Sequence, residues 1–167
     1  PSIVRGRIDI EVVSSCEKSH KLRLVLAERS GGCVFADVLS RLHMEKLDLE
    51  FEELRKYILE RPVADAAECV AHHATCLIPV ANVDISGSPC RPWSRANRGS
   101  SRGRQHIDMG LFLAWARIMR ADRPAIIVHE NVRGFDARLL EEELSALYDV
   151  YRLDLDPSLV GFDFIRR

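Results

Sequence analysis

Apolar and polar positions alternate along the chain in two periods, one typical of strands and one typical of helices. A β-branched run, Ile8 to Val13, is followed by polar residues and then by leucines and a valine at helical spacing. The same hydrophobic pattern predicts strands over residues 8–13, 33–36, 77–85, 125–128 and 150–155. It predicts helices around residues 22–26 and over 47–59, 64–74, 107–119 and 139–147.

Strands that alternate with helices indicate an α/β fold with a mainly parallel sheet and helices on both faces. In such sheets ligands bind outside the carboxyl ends of the strands. Glu17, Asp37, Cys90 and Glu130 each follow the end of a predicted strand. We therefore expect these four side chains to line one edge of the sheet, although an acid in such a place is also a common solvated helix cap.

Composition favours one ordinary globular domain. The chain has 167 residues, 47% apolar and 29% charged, which is enough for a single core spanning 1–167. We expect the predicted helices within 43–78 to form an insertion in it. An odd number of cysteines, five, favours a reducing compartment without disulfides. With no long apolar run and no secretory signal, we expect a soluble intracellular protein, nuclear in a eukaryote and cytoplasmic in a prokaryote.

Positive charge is concentrated in one segment although the net charge is only −1. Five arginines precede the next acid, Asp108: Arg91, Arg95, Arg98, Arg102 and Arg104. Glycine and serine separate several of them and no apolar side chain lies between 98 and 104, so this stretch is predicted to be a surface loop. It is either simply solvated or a local contact for a polyanion.

Cys90 lies between two prolines, at the end of an apolar run and a small-residue turn. Proline fixes its own φ and restricts the residue before it, so few backbone conformations remain around this thiol. Such a turn suits a nucleophile. Taken alone, a buried and inert cysteine at a strand-to-loop corner is the more common outcome.

The turn Gly87–Cys90, the following Trp93 and Ser94, and the triplet Glu130–Val132 after an apolar strand together resemble the catalytic core of the cytosine-C5 methyltransferases. Proline-cysteine alone is a weak signal, whereas both motifs in this order and strand context are fairly specific. The resemblance covers most of the chain except 47–77 and ends near Gly161 and Arg166.

The resemblance implies a Rossmann-like, S-adenosylmethionine-dependent methyltransferase fold that is incomplete at its N-terminus, where the family has a glycine-rich cofactor turn. It implies that Glu17 binds the ribose hydroxyls of S-adenosylmethionine, that Asp37 accepts from the adenine amino group, and that Pro89 packs near the cofactor. No metal is expected.

For catalysis the resemblance implies that Cys90 adds to C6 of cytosine, that Glu130 hydrogen-bonds N3, and that Asn131 holds the loop. Arg166 or a loop arginine would lower the pKa of the Cys90 thiol. A base within a duplex cannot expose C6, so the expected partner is DNA with a flipped-out cytosine. Its backbone would be contacted by Arg91, Ser94, Arg95, Arg98, Arg102 and Arg104.

Two other functions stay open. One is methylation of cytosine in RNA, as in the transfer-RNA branch of the same family. The other is an inactive regulatory or binding module, because the glycine-rich turn is missing, Arg91 replaces the usual glutamine, and Asp163 and Phe164 replace Pro-Gln. The oligomeric state is also open.

Cysteine and histidine are clustered in one further segment: Cys69, His72, His73 and Cys76. All are zinc-ligand types. Because this segment is predicted to be helical, and three ligands on one helix rarely converge on one ion, we expect a packing role.

Overall fold

The computed structural model describes residues 9–44, 47–94 and 103–155. The strands are β1 (Ser14–Cys16), β2 (Cys33–Phe35), β3 (Ala66–Cys69), β4 (Ala74–Leu77), β5 (Val83–Gly87) and β6 (Ile126–Glu130). The α-helices are α1 (His20–Arg29), α2 (Phe51–Leu59), α3 (Met109–Asp122) and α4 (Arg138–Leu144), with 3-10 helices at Val38–Leu42 and Gly103–Gln105. The chain is therefore a mixed α/β structure, as the hydrophobic pattern predicts.

The described strands form two sheets instead of the single one expected. The first has the order β1-β2-β3-β4, in which β1 and β2 are parallel and the other neighbours antiparallel. The second is the parallel pair β5-β6. Because β1 occupies one edge of β2 and β3 the other, β2 has no free edge for another parallel strand.

Helices also do not cover both faces of the parallel pair among the described residues. The buried helix α3 packs on the side of β6 that carries Ile127. The opposite face is open, and Ile85 is 73% exposed there. Alternate residues of a strand point to opposite faces, so Gly87 and Glu130, which end the two strands, belong to the open face.

The helix predicted over 64–74 is wrong, because this segment is the hairpin β3-β4. Its register pairs Ala66 with Leu77 and Cys69 with Ala74. His73 adopts a left-handed φ of 51° in the turn, which lets the chain reverse within four residues. The small side chains of this segment are compatible with the helical and with the strand pattern, so pairing with neighbouring strands decides which of the two forms.

Three strand predictions also need correction. The run predicted over 77–85 is broken: β4 ends at Leu77 and β5 starts at Val83, with Pro79 unable to donate to a ladder between them. Residues 9–13 are not part of a ladder, and the strand is the next three residues, β1. Residues 150–155 form no strand: Tyr151 is 84% exposed, and none of the strands that the structure describes pairs with this segment.

The core is built around α3, which buries nine of its residues. Its apolar side chains pack against Leu54 and Ile58 of α2 and against Leu139 and Leu144 of α4. Burial of this apolar surface is the main stabilising contribution. None of the helices that the structure describes has the length and apolarity to span a bilayer.

Candidate active site

The ends of β5 and β6 bring together the two motifs that carry the resemblance, the turn at residues 87–90 and the triplet at 130–132. These strands are parallel and in register, with Gly87 opposite Glu130. A Cβ atom placed on Gly87 would lie 3.2 Å from the carbonyl oxygen of Glu130 and 3.3 Å from its Oε2 atom. The absence of a side chain at Gly87 thus lets the Glu130 carboxylate lie directly against the strand that leads to Cys90.

Cys90 is exposed on a tight turn. Its carbonyl oxygen accepts hydrogen bonds from the backbone N–H groups of Trp93 (3.0 Å) and Ser94 (2.9 Å). The Trp93 ring packs edge-on against Phe135 with centroids 5.7 Å apart. The thiol is free and accessible, so the structure does not show the buried, inert corner that is the common fate of such a cysteine.

Asn131 connects the two motifs. Its side-chain amide donates to the carbonyl oxygen of Ser88 at 3.1 Å and to the Ser88 hydroxyl oxygen at 3.0 Å. Its side-chain oxygen accepts from the N–H of Val132 at 2.9 Å. The loop after β6 is therefore tied to the residue two before Cys90, an arrangement that fixes the two loops relative to each other.

His129 supports the same turn from the core side. Its Nε2 atom lies 3.1 Å from the Ser88 hydroxyl, and its ring packs against Trp115 (4.6 Å), Phe135 (5.3 Å) and Phe112 (5.9 Å). Burial lowers the pKa of His129 to about 4, against a weaker opposing effect of Asp84. The imidazole is therefore neutral near pH 7 and acts as a packing and hydrogen-bonding group. Sequence reasoning missed the Ser88–His129 contact because it joins residues 41 apart.

Two of the predicted DNA-contacting arginines have carboxylate partners within the protein. Arg91 pairs through two nitrogens with Asp108, at 2.7 and 2.8 Å, and Asp108 is only 7% exposed. Arg104 pairs with Asp136 (3.0 Å) and Glu142 (2.7 Å), and these hydrogen bonds raise its pKa. Ser94 lies in the cysteine turn. The remaining predicted residues lie outside those described: Arg95, Arg98, Arg102 and Arg166.

Glu17 and Asp37 follow the parallel strands β1 and β2, as predicted, but these strands belong to the other sheet. Glu17 and Asp37 therefore lie at the strand ends of one sheet, and Cys90 and Glu130 at the strand ends of the other. The four side chains do not line the single edge that the sequence predicted. The Glu17 Oε1 atom accepts from the N–H of Ser19 at 2.7 Å. Asp37 accepts from the N–H of Leu39 at 3.0 Å and lies 3.8 Å from the Lys18 amine. Each carboxylate therefore caps a local turn.

The hairpin β3-β4 creates a ligand cluster that a helix would not. Three members of the predicted group converge, Cys69, His72 and Cys76, and Cys33 from β2 joins them. His73 is not part of the cluster. The fourth member of the cluster was missed because Cys33 lies 36 residues before Cys69 in sequence, and only the β2-β3 pairing brings them together.

Comparison with known proteins gives a family match and two curated relatives. A model of the family described as C-5 cytosine-specific DNA methylase matches residues 63–150. The DNA-cytosine methyltransferases of Escherichia coli strain K12 and of Escherichia coli O157:H7 are each 32% identical to the chain over 114 residues. That match covers 59% of the chain and 24% of each relative, so the chain spans about a quarter of the curated relatives' length.

The match to the family model starts at residue 63, inside the segment 47–77 that the motif resemblance left out. It does not reach Glu17 or Asp37. No solved structure matches the chain. The family match covers more than half of the sequence and contains both the Cys90 turn and the Glu130–Val132 triplet. This chain belongs to the C-5 cytosine-specific DNA methylase family.

Proposed function

We propose that this chain is the catalytic core of an S-adenosylmethionine-dependent DNA cytosine-C5 methyltransferase in which Cys90 is the nucleophile. One observation carries the proposal: the in-register parallel pair β5-β6 places the Cys90 turn and Glu130 at neighbouring strand ends. Asn131 joins the two loops through Ser88. The family match and the names of the two relatives support the reaction class.

The chemistry requires a nucleophile because C5 of cytosine is too weakly nucleophilic to take a methyl group unaided. In the proposed reaction the Cys90 thiolate forms a bond to C6, and the displaced electron pair makes C5 enamine-like. When bound, S-adenosylmethionine would supply the methyl group to C5 and leave as S-adenosylhomocysteine. Loss of the C5 proton to a base then returns the electron pair, and the bond between Sγ and C6 breaks to release 5-methylcytosine and the free thiolate.

Glu130 is proposed to hydrogen-bond N3 of the flipped base, to supply a proton there as Cys90 adds to C6, and to take that proton back as the thiolate leaves. Protonation at N3 neutralises the negative charge that addition would otherwise place on the ring. The position of Glu130 supports this role, since its side chain is on the open face at the end of β6, beside Gly87. His129 faces the core instead, where its ring packs against Trp115 and Phe135 and its Nε2 atom lies beside the Ser88 hydroxyl.

Glu17 and Asp37 are proposed to bind the ribose hydroxyls and the adenine amino group of the cofactor, and Pro89 to pack beside it. The donor set fits these groups, because a carboxylate accepts from a diol and from an amine. Each carboxylate has one oxygen bonded to a backbone N–H, which orients the other. The described residues thus fit the adenosine end of the cofactor.

The proposed architecture is a Rossmann-like methyltransferase domain. The units β1-α1-β2 and β5-α3-β6 support it, since each joins two parallel strands through a helix. The proposed substrate is duplex DNA with one cytosine flipped out. Contacts of Arg95, Arg98 and Arg102 with DNA phosphates, and of Arg166 with the thiolate, stay predictions from sequence.

Methyl transfer by the purified full-length protein tests the proposal. Duplex DNA and a structured RNA would each be incubated with radiolabelled S-adenosylmethionine and analysed for 5-methylcytosine. We expect incorporation into DNA that is lost in Cys90→Ser and kept in Cys16→Ser, the matched control, because Cys16 lies in the other sheet. Incorporation into RNA alone, or none with either substrate, would overturn the proposal.

A further inference from the structure

Four metal-ligand side chains meet where the hairpin β3-β4 joins β2. They are Cys33, Cys69, His72 and Cys76, and their ligand atoms all lie within 4.8 Å of one another. The Nδ1 atom of His72 is 3.5 Å from the sulfur of Cys33 and 3.4 Å from the sulfurs of Cys69 and of Cys76. One nitrogen is thus nearly equidistant from three sulfurs.

These distances match a tetrahedral zinc site. With zinc–sulfur bonds of about 2.3 Å and a zinc–nitrogen bond of about 2.0–2.1 Å, a tetrahedral angle separates the nitrogen from each sulfur by about 3.6 Å. The observed 3.4–3.5 Å agrees with that spacing for all three sulfurs. Three thiolates and one imidazole are a ligand set of structural zinc, softer than magnesium or calcium prefers.

The surroundings of the cluster also suit a metal–thiolate centre. The backbone N–H of Val34 donates to the Cys69 sulfur at 3.3 Å, a contact of the kind that orients a ligating group. Cys69 is buried, Cys33 and Cys76 are half-buried, and His72 is exposed. An ion can therefore enter from the solvent side and be shielded on the other.

The strand pairing shows what the ion would do. The ladder between β2 and β3 consists of the single pair Phe35 and Cys69, with one further bond from Val70 N–H to the Val34 carbonyl at 2.8 Å. With so few backbone hydrogen bonds, the hairpin β3-β4 is only weakly attached to β2. A metal bound by Cys33 of β2 and by three residues of the hairpin would join the two elements directly.

We propose that Cys33, Cys69, His72 and Cys76 bind one structural Zn²⁺ that fixes the hairpin β3-β4 to β2. Four protein ligands leave no open position on the ion, so the site is structural and takes no part in methyl transfer. The proposal is independent of the reaction proposed above.

Metal analysis of the purified protein, produced with zinc in the medium, tests it. We expect about one zinc per chain, released by a strong chelator with loss of thermal stability. His72→Ala should lose the zinc, and His73→Ala, its neighbour outside the cluster, should retain it. Zinc-free protein with a disulfide among the three cysteines, or zinc retained at full occupancy in both His72→Ala and Cys76→Ser, would overturn the proposal.

Cobalt substitution keeps the test decisive if His72→Ala fails to fold. In the wild-type protein Co²⁺ should give the visible bands of a tetrahedral ion and a sulfur-to-cobalt charge-transfer band. His72→Cys should still bind cobalt but strengthen the charge-transfer band by about one third, since it has four sulfur ligands in place of three. An octahedral spectrum, or an identical spectrum in His72→Cys, would exclude His72 as a ligand.

Discussion

The side-chain amide of Asn131 donates to both the carbonyl and the hydroxyl oxygen of Ser88, at 3.1 and 3.0 Å. This pair joins the end of β6 to the turn that carries Cys90. Because the Cys90 thiol lies on the turn after β5 and the Glu130 carboxylate at the end of β6, their separation depends on what holds the two strand ends together. We therefore expect Asn131 to act as a positioning residue.

Asn131→Ala should lower kcat by about 10- to 100-fold with a smaller change in KM, because misplacing a reacting group by about 1 Å costs rate of that order. The free energy of unfolding should fall by only about 1 kcal/mol for the lost hydrogen bonds. Steady-state kinetics and urea denaturation measure the two. Asn82→Ala is the matched control, since Asn82 precedes β5 at the opposite end of the strand. An unchanged kcat in Asn131→Ala would contradict this role.

The ion pair with Asp108, the residue that precedes α3, explains why the chain has an arginine at position 91. Arg91→Gln, which restores the family's usual residue, should lower the free energy of unfolding by about 1–3 kcal/mol, since it leaves the buried Asp108 carboxylate without its ion-pair partner. Adding Asp108→Asn should recover part of that loss. A double-mutant cycle by chemical denaturation measures the coupling. Additive effects of the two substitutions would show that the pair contributes nothing.

Arg104 should act mainly within the fold. Arg104→Gln should lower the free energy of unfolding by about 1–2 kcal/mol, because it removes the cation shared by Asp136 and Glu142. Arg152→Gln, which breaks an exposed pair with Asp154, is the control and should change stability little. A phosphate contact by Arg104 would instead leave stability unchanged and reduce the slope of log affinity for DNA against log salt by about 0.9.

The helices α1 to α4 and the motifs at residues 87–90 and 130–132 could be predicted from sequence because each depends on a local pattern. The amphipathic runs of α2 and α3 and the strand endings before Cys90 and Glu130 are visible in short windows. The helix predicted over 64–74 is wrong because the alanines of this segment fit a helix as well as a strand, and the structure is decided by pairing of β3 with β4 and with β2. Cys33 could not be predicted as a member of the cysteine and histidine cluster either, because only the pairing of β2 with β3 brings it there.

The low pKa of His129 makes stability depend on pH. The unfolded state takes up a proton near pH 6.5, whereas the folded state does so only near pH 4. Stability should therefore fall as the pH drops from about 6.5 to 4, by on the order of 3 kcal/mol, and change no further from this group below pH 4. Denaturation at several pH values measures it. His129→Gln should flatten the dependence of stability on pH between 6.5 and 4. His20→Gln, a control at the exposed start of α1, should not. The same pH dependence in the wild-type protein and in both variants would contradict the role of His129.

The central claim is that Cys90 forms the bond to cytosine C6. Duplex DNA in which 5-fluorocytosine replaces cytosine tests it most directly, because fluorine at C5 cannot leave as a proton does and the adduct persists after methyl transfer. With S-adenosylmethionine and the full-length protein, we predict a complex that survives denaturation and maps by mass spectrometry to the peptide containing Cys90. It should form in Cys16→Ser and not in Cys90→Ser. No adduct with the wild-type protein, or an adduct that still forms in Cys90→Ser, would contradict the assignment.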